Sequence, residues 1–536
     1  MKPRPTPRAW PGTCLLAALS IGILNVTPAL ADSPTGDPRA TVTLHPGTPS
    51  VPYSRMLFGG FLEHFDGQIY GGVFEPGSPR SDARGFRRDV IEALKELKVP
   101  VVRWPGGCFA SGYHWKDGVG RDRKPVPDPV WGVVDPNTFG TDEFVEFCRL
   151  IDAEPYICTN AGNGTPEEMR EWVEYCNATE GPWARLRAAG GHERPHAVRY
   201  WSIGNENWGG HEIGASTPEK WGPLVARSAE LMLQADPKLV LLAAATPDRG
   251  WTLPLLRAAG ERLQYVCIHE YWLGLWQQND RPGYLPCVLL SEGPDRTLRG
   301  THDILREAGA LGRIRIAFDE WNLRGWHHPG FPRKEVQDLR DPTVAALIAR
   351  REENAVDAQY TMADALFSAS FLNACLRHAD DVGMANIAPL VNTRGPLHVH
   401  PGGIVKRTTF HALAMYASLL ENRVGQSEVE SGNLTSAGRS VATVDALATV
   451  DEAGRNWAIA LVNRDPEKTV SCAIRVGDKP VTGSLPATIL SGDSPDAFNG
   501  LERPTRVVPE KEELKTQNGT VQLRAHSLTI LRIIAQ

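Results

Sequence analysis

A parallel (β/α)8 barrel followed by an antiparallel β-sandwich is the fold class this sequence predicts, and three observations carry it. From residue 55 to residue 391, eight short apolar runs alternate with helical patterns, which calls for a closed parallel sheet wrapped in helices. Glu63, Asn205, Glu206, Tyr271, Glu320 and Asn392 stand at or just beyond the ends of those runs, and a barrel opens all its strand C-termini onto one face. After Pro401 the pattern becomes period-two alternation broken by turn residues, which marks antiparallel strands.

The elements follow in order. Residues 1–31 read as a secretory signal peptide. Lys2, Arg4 and Arg8 precede an apolar run over 15–26, and Ala29-Leu30-Ala31 has the spacing of a cleavage site, so the cut is expected after Ala31. The product is expected to be extracellular, with no membrane segment left after cleavage, because no other stretch reaches about 18 apolar residues. Residues 32–54 form a Pro/Asp/Gly tether and a strand over 41–44, which has no place in a barrel and is free to join the sandwich.

The barrel is expected over 55–400. Its strands are read at 55–61, 99–104, 154–159, 200–203, 239–244, 265–269, 313–318 and 383–391. Helices are read at 84–98, 141–150, 167–175, 221–235 and 351–376; the first places Phe86, Val90, Leu94 and Leu97 on one face. The sandwich is expected over 401–536, with strands at 442–451, 457–463, 470–476 and 528–534.

Composition agrees with this division. The 536 residues exceed one ordinary domain and suit a barrel of about 250 residues plus a smaller module. A net charge of −6 provides no basic face for nucleic acid or anionic lipid. Fifteen tryptophans against seven methionines supply flat rings able to stack on sugars. Cys14 aside, eight cysteines remain, a number that permits bridges in a secreted chain. Cys158 and Cys267, however, lie inside apolar strand patterns, where a thiol behaves as a small hydrophobe. No Cys-x-x-Cys occurs. His64 and His269 near strand ends could together suggest metal, and His398-Val399-His400 has ligand-like spacing. That pair has no carboxylate or Cys beside it, however, and lone histidines and short His pairs are more often structural. Neither a metal nor a cofactor is therefore expected.

The chemistry centres on two stretches. Residues 199–208 read Arg-Tyr-Trp-Ser-Ile-Gly-Asn-Glu-Asn-Trp, a buried strand that delivers Asn205, Glu206 and Asn207 at its end. A carboxylate there is costly unless it has a partner or a task. Alone it could be a hydrated strand end, with Asn205 merely capping a turn. Residues 313–322 repeat the design, ending in Glu320 beside Trp321 and Asn322. Two strand-end carboxyls suit glycosidic cleavage, one to protonate the leaving oxygen and one to attack or stabilise the anomeric carbon. Strands four and seven face each other across a barrel. Burial and the like charge of Glu320 are expected to raise the pKa of Glu206.

An ordered set of motifs adds to this reading: Gly60-Phe61-Leu62-Glu63-His64, Arg103-Trp104-Pro105-Gly106-Gly107-Cys108-Phe109, Tyr113-His114-Trp115, Gly204-Asn205-Glu206-Asn207-Trp208, Asp319-Glu320-Trp321 and Met384-Ala385-Asn386-Ile387-Ala388. Together they resemble the α-L-arabinofuranosidases of glycoside hydrolase family 51, from about residue 40 to the C-terminus. The resemblance implies Glu206 as acid/base and Glu320 as nucleophile, with retention at the anomeric carbon. It further implies that Glu63 and Asn205 hold the arabinose hydroxyls, that Cys108 lines the pocket through its backbone, that Tyr271 lies near the nucleophile, and that Trp131 packs against the leaving sugar. Two positions depart from the pattern. The glutamine common in the eighth-strand segment is missing, leaving Asn392 as its candidate substitute, and Glu270 stands where an aromatic often precedes the tyrosine.

The expected substrates are arabinose-containing polysaccharides or oligosaccharides of plant cell walls, and a homo-oligomer is compatible with the chain. The alternatives are another retaining glycosidase of the same clan, a β-xylosidase or endo-β-glucanase, or a carbohydrate-binding protein without catalysis.

Overall fold

A computed structural model describes residues 39–273, 283–325, 360–517 and 519–534. The signal peptide and tether up to residue 38, and residues 351–359 of the helix read before the last barrel strand, lie outside the described residues.

Eight parallel strands close a barrel in chain order: Gly59–Phe61, Val101–Trp104, Glu154–Thr159, Tyr200–Ile203, Val240–Ala244, Tyr265–Leu273, Arg315–Arg324 and Val382–Ile387. Gly60 closes the ring, in register with Val102 on one side and Ile387 on the other. The first strand is shorter than the sequence suggests because Arg55–Phe58 is a 3-10 turn, started by Ser54, whose hydroxyl accepts the Met56 amide at 3.2 Å. Its glycines are required by crowding. A Cβ on Gly60 would meet Leu390 Cγ at 2.1 Å, and one on Gly59 would meet Val101 Cγ1 at 2.6 Å. Strands six and seven instead run past 269 and 318, since their pairing continues through Glu270–Trp321, Tyr271–Asn322 and Leu273–Arg324.

Val101, Tyr156, Tyr200, Leu242, Cys267, Ala317 and Met384 form one packed layer inside the barrel. They come from strands two to eight, one each, so large and small side chains share the taper and leave a core rather than a channel. All eight cysteines from Cys108 onward are buried and free, so the bridges permitted by their number do not form.

Each strand is followed by a helix: Arg88–Leu97, Thr141–Leu150, Pro166–Asn177, Pro218–Ala235, Arg249–Ala259, Gly293–Glu307, Met362–Arg377 and Thr408–Leu419. The first buries Val90, Ala93, Leu94 and Leu97 and stops at Lys98, whose φ of 56° ends the helix. Met362–Arg377 is buried on almost every side, because the barrel covers one face and the sandwich the other. Thr408–Leu419 packs on Arg88–Leu97 and Met362–Arg377 and so belongs to the barrel wall, beyond the boundary read at residue 400. It is apolar nearly all round, so it shows no amphipathic period to read.

The sandwich follows. One sheet has the order Val51–Pro52, Arg423–Val424, Val444–Val450, Asn456–Asn463, Ser527–Ile534, Ser484–Ser491, Glu510–Lys515. In the other, the N-terminal strand Arg39–Leu44 lies antiparallel to Ser427–Ser431 and parallel to Val470–Val476. Val42, Leu44, Ile459, Leu461, Cys472 and Ile474 are among the side chains that fill the space between the sheets. Asp445 ties the sandwich to the barrel. It is paired with Arg377 at 2.8 Å and Arg464 at 3.1 Å, and it accepts from Asn373 Nδ2 at 3.1 Å. No helix among the described residues is long and apolar enough to cross a membrane.

One buried histidine is expected to make the fold acid-sensitive. His411, on the last barrel helix, has no partner for its Nε2 among the described residues, and burial together with the charge of Lys406 lowers its pKa to about 4. An unfolded histidine titrates near ~6.5, so the unfolded chain binds more protons between the two values and stability rises with pH across that window. Between pH 6.5 and 4 the fold should lose roughly 3 kcal/mol through this residue. In His411→Leu the fall of Tm from pH 7 to pH 4.5 should be visibly shallower than in the native chain. Parallel curves would show that His411 contributes nothing to acid sensitivity.

Candidate active site

Strand four ends at Ile203, and the chain turns sharply. Gly204 has φ +73°, and a Cβ there would meet Asn207 Oδ1 at 2.1 Å. Glu206 itself sits at φ 41°, in the left-handed region, a strain of about 1–3 kcal/mol that only a fixed surrounding can hold. Asn207 provides that surrounding: its Nδ2 donates to the Gly214 carbonyl at 2.9 Å, and its own carbonyl accepts from the Ser216 amide at 2.7 Å. The loop is thereby pinned so that Glu206 points across the barrel mouth.

Glu320 meets it from strand seven. His269 Nδ1, on strand six, lies 2.9 Å from Glu206 Oε1 and 2.7 Å from Glu320 Oε2. One oxygen of each carboxylate is within 4.8 Å of the other. Carboxylates that close are consistent with the ~5–5.5 Å spacing of retaining pairs.

Beneath them lies Arg103 from strand two, 1% exposed. Its Nη2 donates to Asn205 Oδ1 at 2.6 Å, its Nε is 3.2 Å from Asp319 Oδ2 and its Nη1 3.7 Å from Glu320 Oε2. Asp319 also accepts from the Tyr156 hydroxyl at 2.7 Å and lies 3.2 Å from His269 Nε2. Burial pushes the Asp319 pKa up, but Arg103 and His269 outweigh it and hold it below the usual carboxylate range. Burial alone would lower His269, yet Glu320 and Asp319 carry it well above the ordinary imidazole value.

Glu63 is fully buried at the end of strand one. Its Oε1 accepts from the Phe109 amide at 2.8 Å and from Trp131 Nε1 at 3.0 Å, while Oε2 has no partner among the described residues. Burial and the charge of Glu320 raise its pKa well above normal. Trp131 is stacked on Phe65 with ring centres 4.0 Å apart, which fixes the indole over Glu63. Gly106 and Gly107 let the chain pass this close: a Cβ on the first would meet Glu63 Cγ at 2.2 Å, and on the second Glu320 Oε1 at 2.9 Å. Cys108 follows, its thiol raised far by burial and set beside Glu212. Tyr271 reaches in from strand six, and its hydroxyl is pushed upward by burial and by the charges of Glu320 and Glu206.

Asn392 departs from expectation. Its Nδ2 donates to the Gly67 carbonyl at 2.6 Å and its Oδ1 accepts from the Val399 amide at 2.7 Å, so both ends of the amide serve loop backbone. It is not a free substitute for a glutamine. Glu270 faces outward, bonded to the Thr297 hydroxyl on the sixth helix.

The pKa of Glu206 is also the reverse of expectation. Burial raises it, but hydrogen bonds to His211, 2.6 Å from Oε2, and to His269 together lower it. His211 and Glu212 lie in the loop after strand four and were not singled out from sequence. The signal was there in a histidine five residues past Glu206, but only folding shows that it bends back. Glu212 is held by Asn205 Nδ2 at 2.8 Å and the Ser111 hydroxyl at 2.7 Å.

Among the described residues three groups bring possible metal donors within 4.8 Å of one another: Cys108, Glu206, His211 and Glu212; Glu206, His269 and Glu320; and Asp142, His192 and His196 by the second helix. His64 belongs to none of them, accepting from Trp104 Nε1 at 2.7 Å and lying 2.5 Å from Asp135.

A barrel with two such carboxylates at its C-terminal mouth defines a glycoside hydrolase. Residues 93–273 match the alpha-L-arabinofuranosidase 1 domain and residues 319–527 the alpha-L-arabinofuranosidase C-terminal domain. The chain is 33% identical over 524 residues to alpha-L-arabinofuranosidase C of Emericella nidulans, covering 92% of this chain and 97% of that protein. The Thermotoga maritima alpha-L-arabinofuranosidase arabinose complex superposes with a TM-score of 0.81 at 31% identity, covering 92% of this chain and all of that one. The GH51 arabinofuranosidase of Xanthomonas axonopodis pv. citri gives 0.80 at 28% identity over 93% of this chain and all of that one. The chain belongs to the α-L-arabinofuranosidases of glycoside hydrolase family 51.

The Gly107 contact can be tested alone. Gly107→Ala adds one methyl 2.9 Å from Glu320 Oε1, which forces that carboxylate to shift by about half an ångström, and shifts of up to ~1 Å in a site cost up to about a hundredfold. kcat/KM on an aryl arabinofuranoside should fall, by up to that factor, with Tm nearly unchanged. A variant of native activity would show that Glu320 does not need this space.

Proposed function

We propose that this enzyme is a secreted, exo-acting, retaining α-L-arabinofuranosidase that removes terminal arabinofuranosyl side chains from arabinoxylan or arabinan. The observation that carries the reading is the sharing of one imidazole nitrogen by Glu206 and Glu320, which sets the two carboxylates at nucleophile spacing.

Glu320 attacks the anomeric carbon while Glu206 passes the leaving oxygen the proton it holds with His211. The glycosidic bond breaks and an ester to Glu320 forms. Ester formation removes the charge of Glu320, and Glu206 then takes a proton from water, whose oxygen displaces Glu320 from the same face the leaving group left. Two inversions give net retention. Asn205, oriented by Arg103 and Glu212, offers its remaining N–H to the sugar 2-hydroxyl. Glu63 Oε2, without a partner among the described residues, bonds another hydroxyl, and Trp131 and Tyr271 complete the wall.

Glu320→Gln should drop turnover of aryl α-L-arabinofuranoside below a thousandth, about 4 kcal/mol in barrier, with the fold intact. A loss under tenfold, ~1.4 kcal/mol, would overturn the nucleophile. Glu206→Ala should spare good aryloxide leaving groups in the first step and accumulate the ester. Azide should then restore turnover and give a glycosyl azide of the substrate's configuration. An inverted azide, or no rescue, would remove Glu206 from its role. Native activity on aryl β-D-xyloside exceeding that on the arabinofuranoside would move the substrate assignment.

Export has its own test. N-terminal sequencing of protein from the culture medium should begin at Asp32, and retention of residue 1 on the active protein would overturn the leader.

A further inference from the structure

The loop after strand four carries more donors than glycoside cleavage uses. Cys108 Sγ, one ring nitrogen of His211 and one carboxylate oxygen each of Glu206 and Glu212 all lie within 4.8 Å of one another. His211 Nε2 is 2.6 Å from Glu206 Oε2 and 3.9 Å from Glu212 Oε1. Tetrahedral zinc, with bonds of about 2.0–2.3 Å, needs its ligand atoms about 3.3–3.8 Å apart, so shifts of an ångström or less would bring this set to that geometry.

The donor types are selective. One sulfur, one imidazole and two carboxylates suit zinc and other thiophilic divalent ions, whereas calcium and magnesium favour all-oxygen cages. Glu212 is held as metal-ligating carboxylates usually are, by second partners: Asn205 at 2.8 Å and Ser111 at 2.7 Å. Glu212 and Cys108 are buried, while the side chains of Glu206 and His211 keep 12% and 22% exposure, which leaves a way in from the pocket.

We propose that this chain binds Zn2+ through Cys108, Glu206, His211 and Glu212, and that the ion inhibits the enzyme reversibly. On binding, the thiol releases its proton to solvent and the carboxylate of Glu206 becomes a ligand. It can then neither give nor take the proton of the reaction, so the inhibition (though not the binding) rests on the role proposed for Glu206.

Binding is measured without substrate. Titration with Co2+ should saturate at one ion per chain and produce a thiolate-to-cobalt charge-transfer band, which Zn2+ displaces and arabinose opposes. Cys108→Ser should lose the band, and His211→Asn should weaken binding at least tenfold, with both variants folded by circular dichroism. On the native enzyme, micromolar Zn2+ should cut hydrolysis of aryl arabinofuranoside more than tenfold. EDTA should restore it, and Cys108→Ser should need at least tenfold more zinc for the same loss. No binding at millimolar metal, or binding without the thiolate band and unchanged in both variants, would overturn the site. If the native enzyme fails to cleave arabinofuranosides, the functional reading falls, while the cobalt titration still decides the metal site.

Discussion

Arg103 is the group on which the rest of the site depends. A guanidinium in a barrel core is desolvated at a penalty of several kcal/mol, and it is tolerable only with opposite charge and hydrogen-bond acceptors around it. Here strand seven supplies Asp319 and Glu320 and the turn after strand four supplies Asn205, so two segments converge on one cation from strand two. Because Asp319 is held ionised, it in turn fixes His269, and His269 reaches both carboxylates at the mouth. A buried pair of this kind contributes little net stability. What it supplies is position: the carboxylates at the barrel mouth are held from below by Arg103 and Asp319.

The same economy explains where backbone strain sits. Glu206 at positive φ, Gly204 in its turn and the close passage of Gly106 and Gly107 all crowd one rim. Strain of this kind persists only where neighbours over-determine the conformation. The buried amide of Asn207 and the packed layer below the rim do so. The sandwich contributes at a distance by covering the helix Met362–Arg377, which ties the last two barrel strands together.

The loop between strand four and its helix gives this chain its own electrostatics. His211 and Glu212 place an imidazole and a second carboxylate against the acid/base candidate, and the result is a Glu206 that is more acidic than burial alone would make it. The general-acid role proposed for Glu206 requires a proton to deliver, and on that proposal the proton belongs to the Glu206–His211 pair rather than to a lone carboxyl. The thiol of Cys108 closes the same group.

Period and punctuation along the chain determined the class of fold. Apolar runs of strand length separated by helices have one closed parallel solution, and Glu206 and Glu320 were legible because a charge at the end of a buried strand has no structural reason to be there. The N-terminal strand, a short alternating run with no partner in a barrel, was legible for the same reason. What tertiary structure alone decided were matters of contact. The helix Thr408–Leu419 has no polar face because neighbours cover it on all sides, so it carries no period to read. Asn392 looked like a pocket amide until its hydrogen bonds to Gly67 and Val399 were seen. The direction of the Glu206 pKa depends on distances of a few ångströms to His211 and His269, five and 63 residues along the chain, and the meeting of Cys108 with His211 and Glu212 joins segments about a hundred residues apart. Electrostatic energy falls with distance in space, and position along the chain carries no record of it.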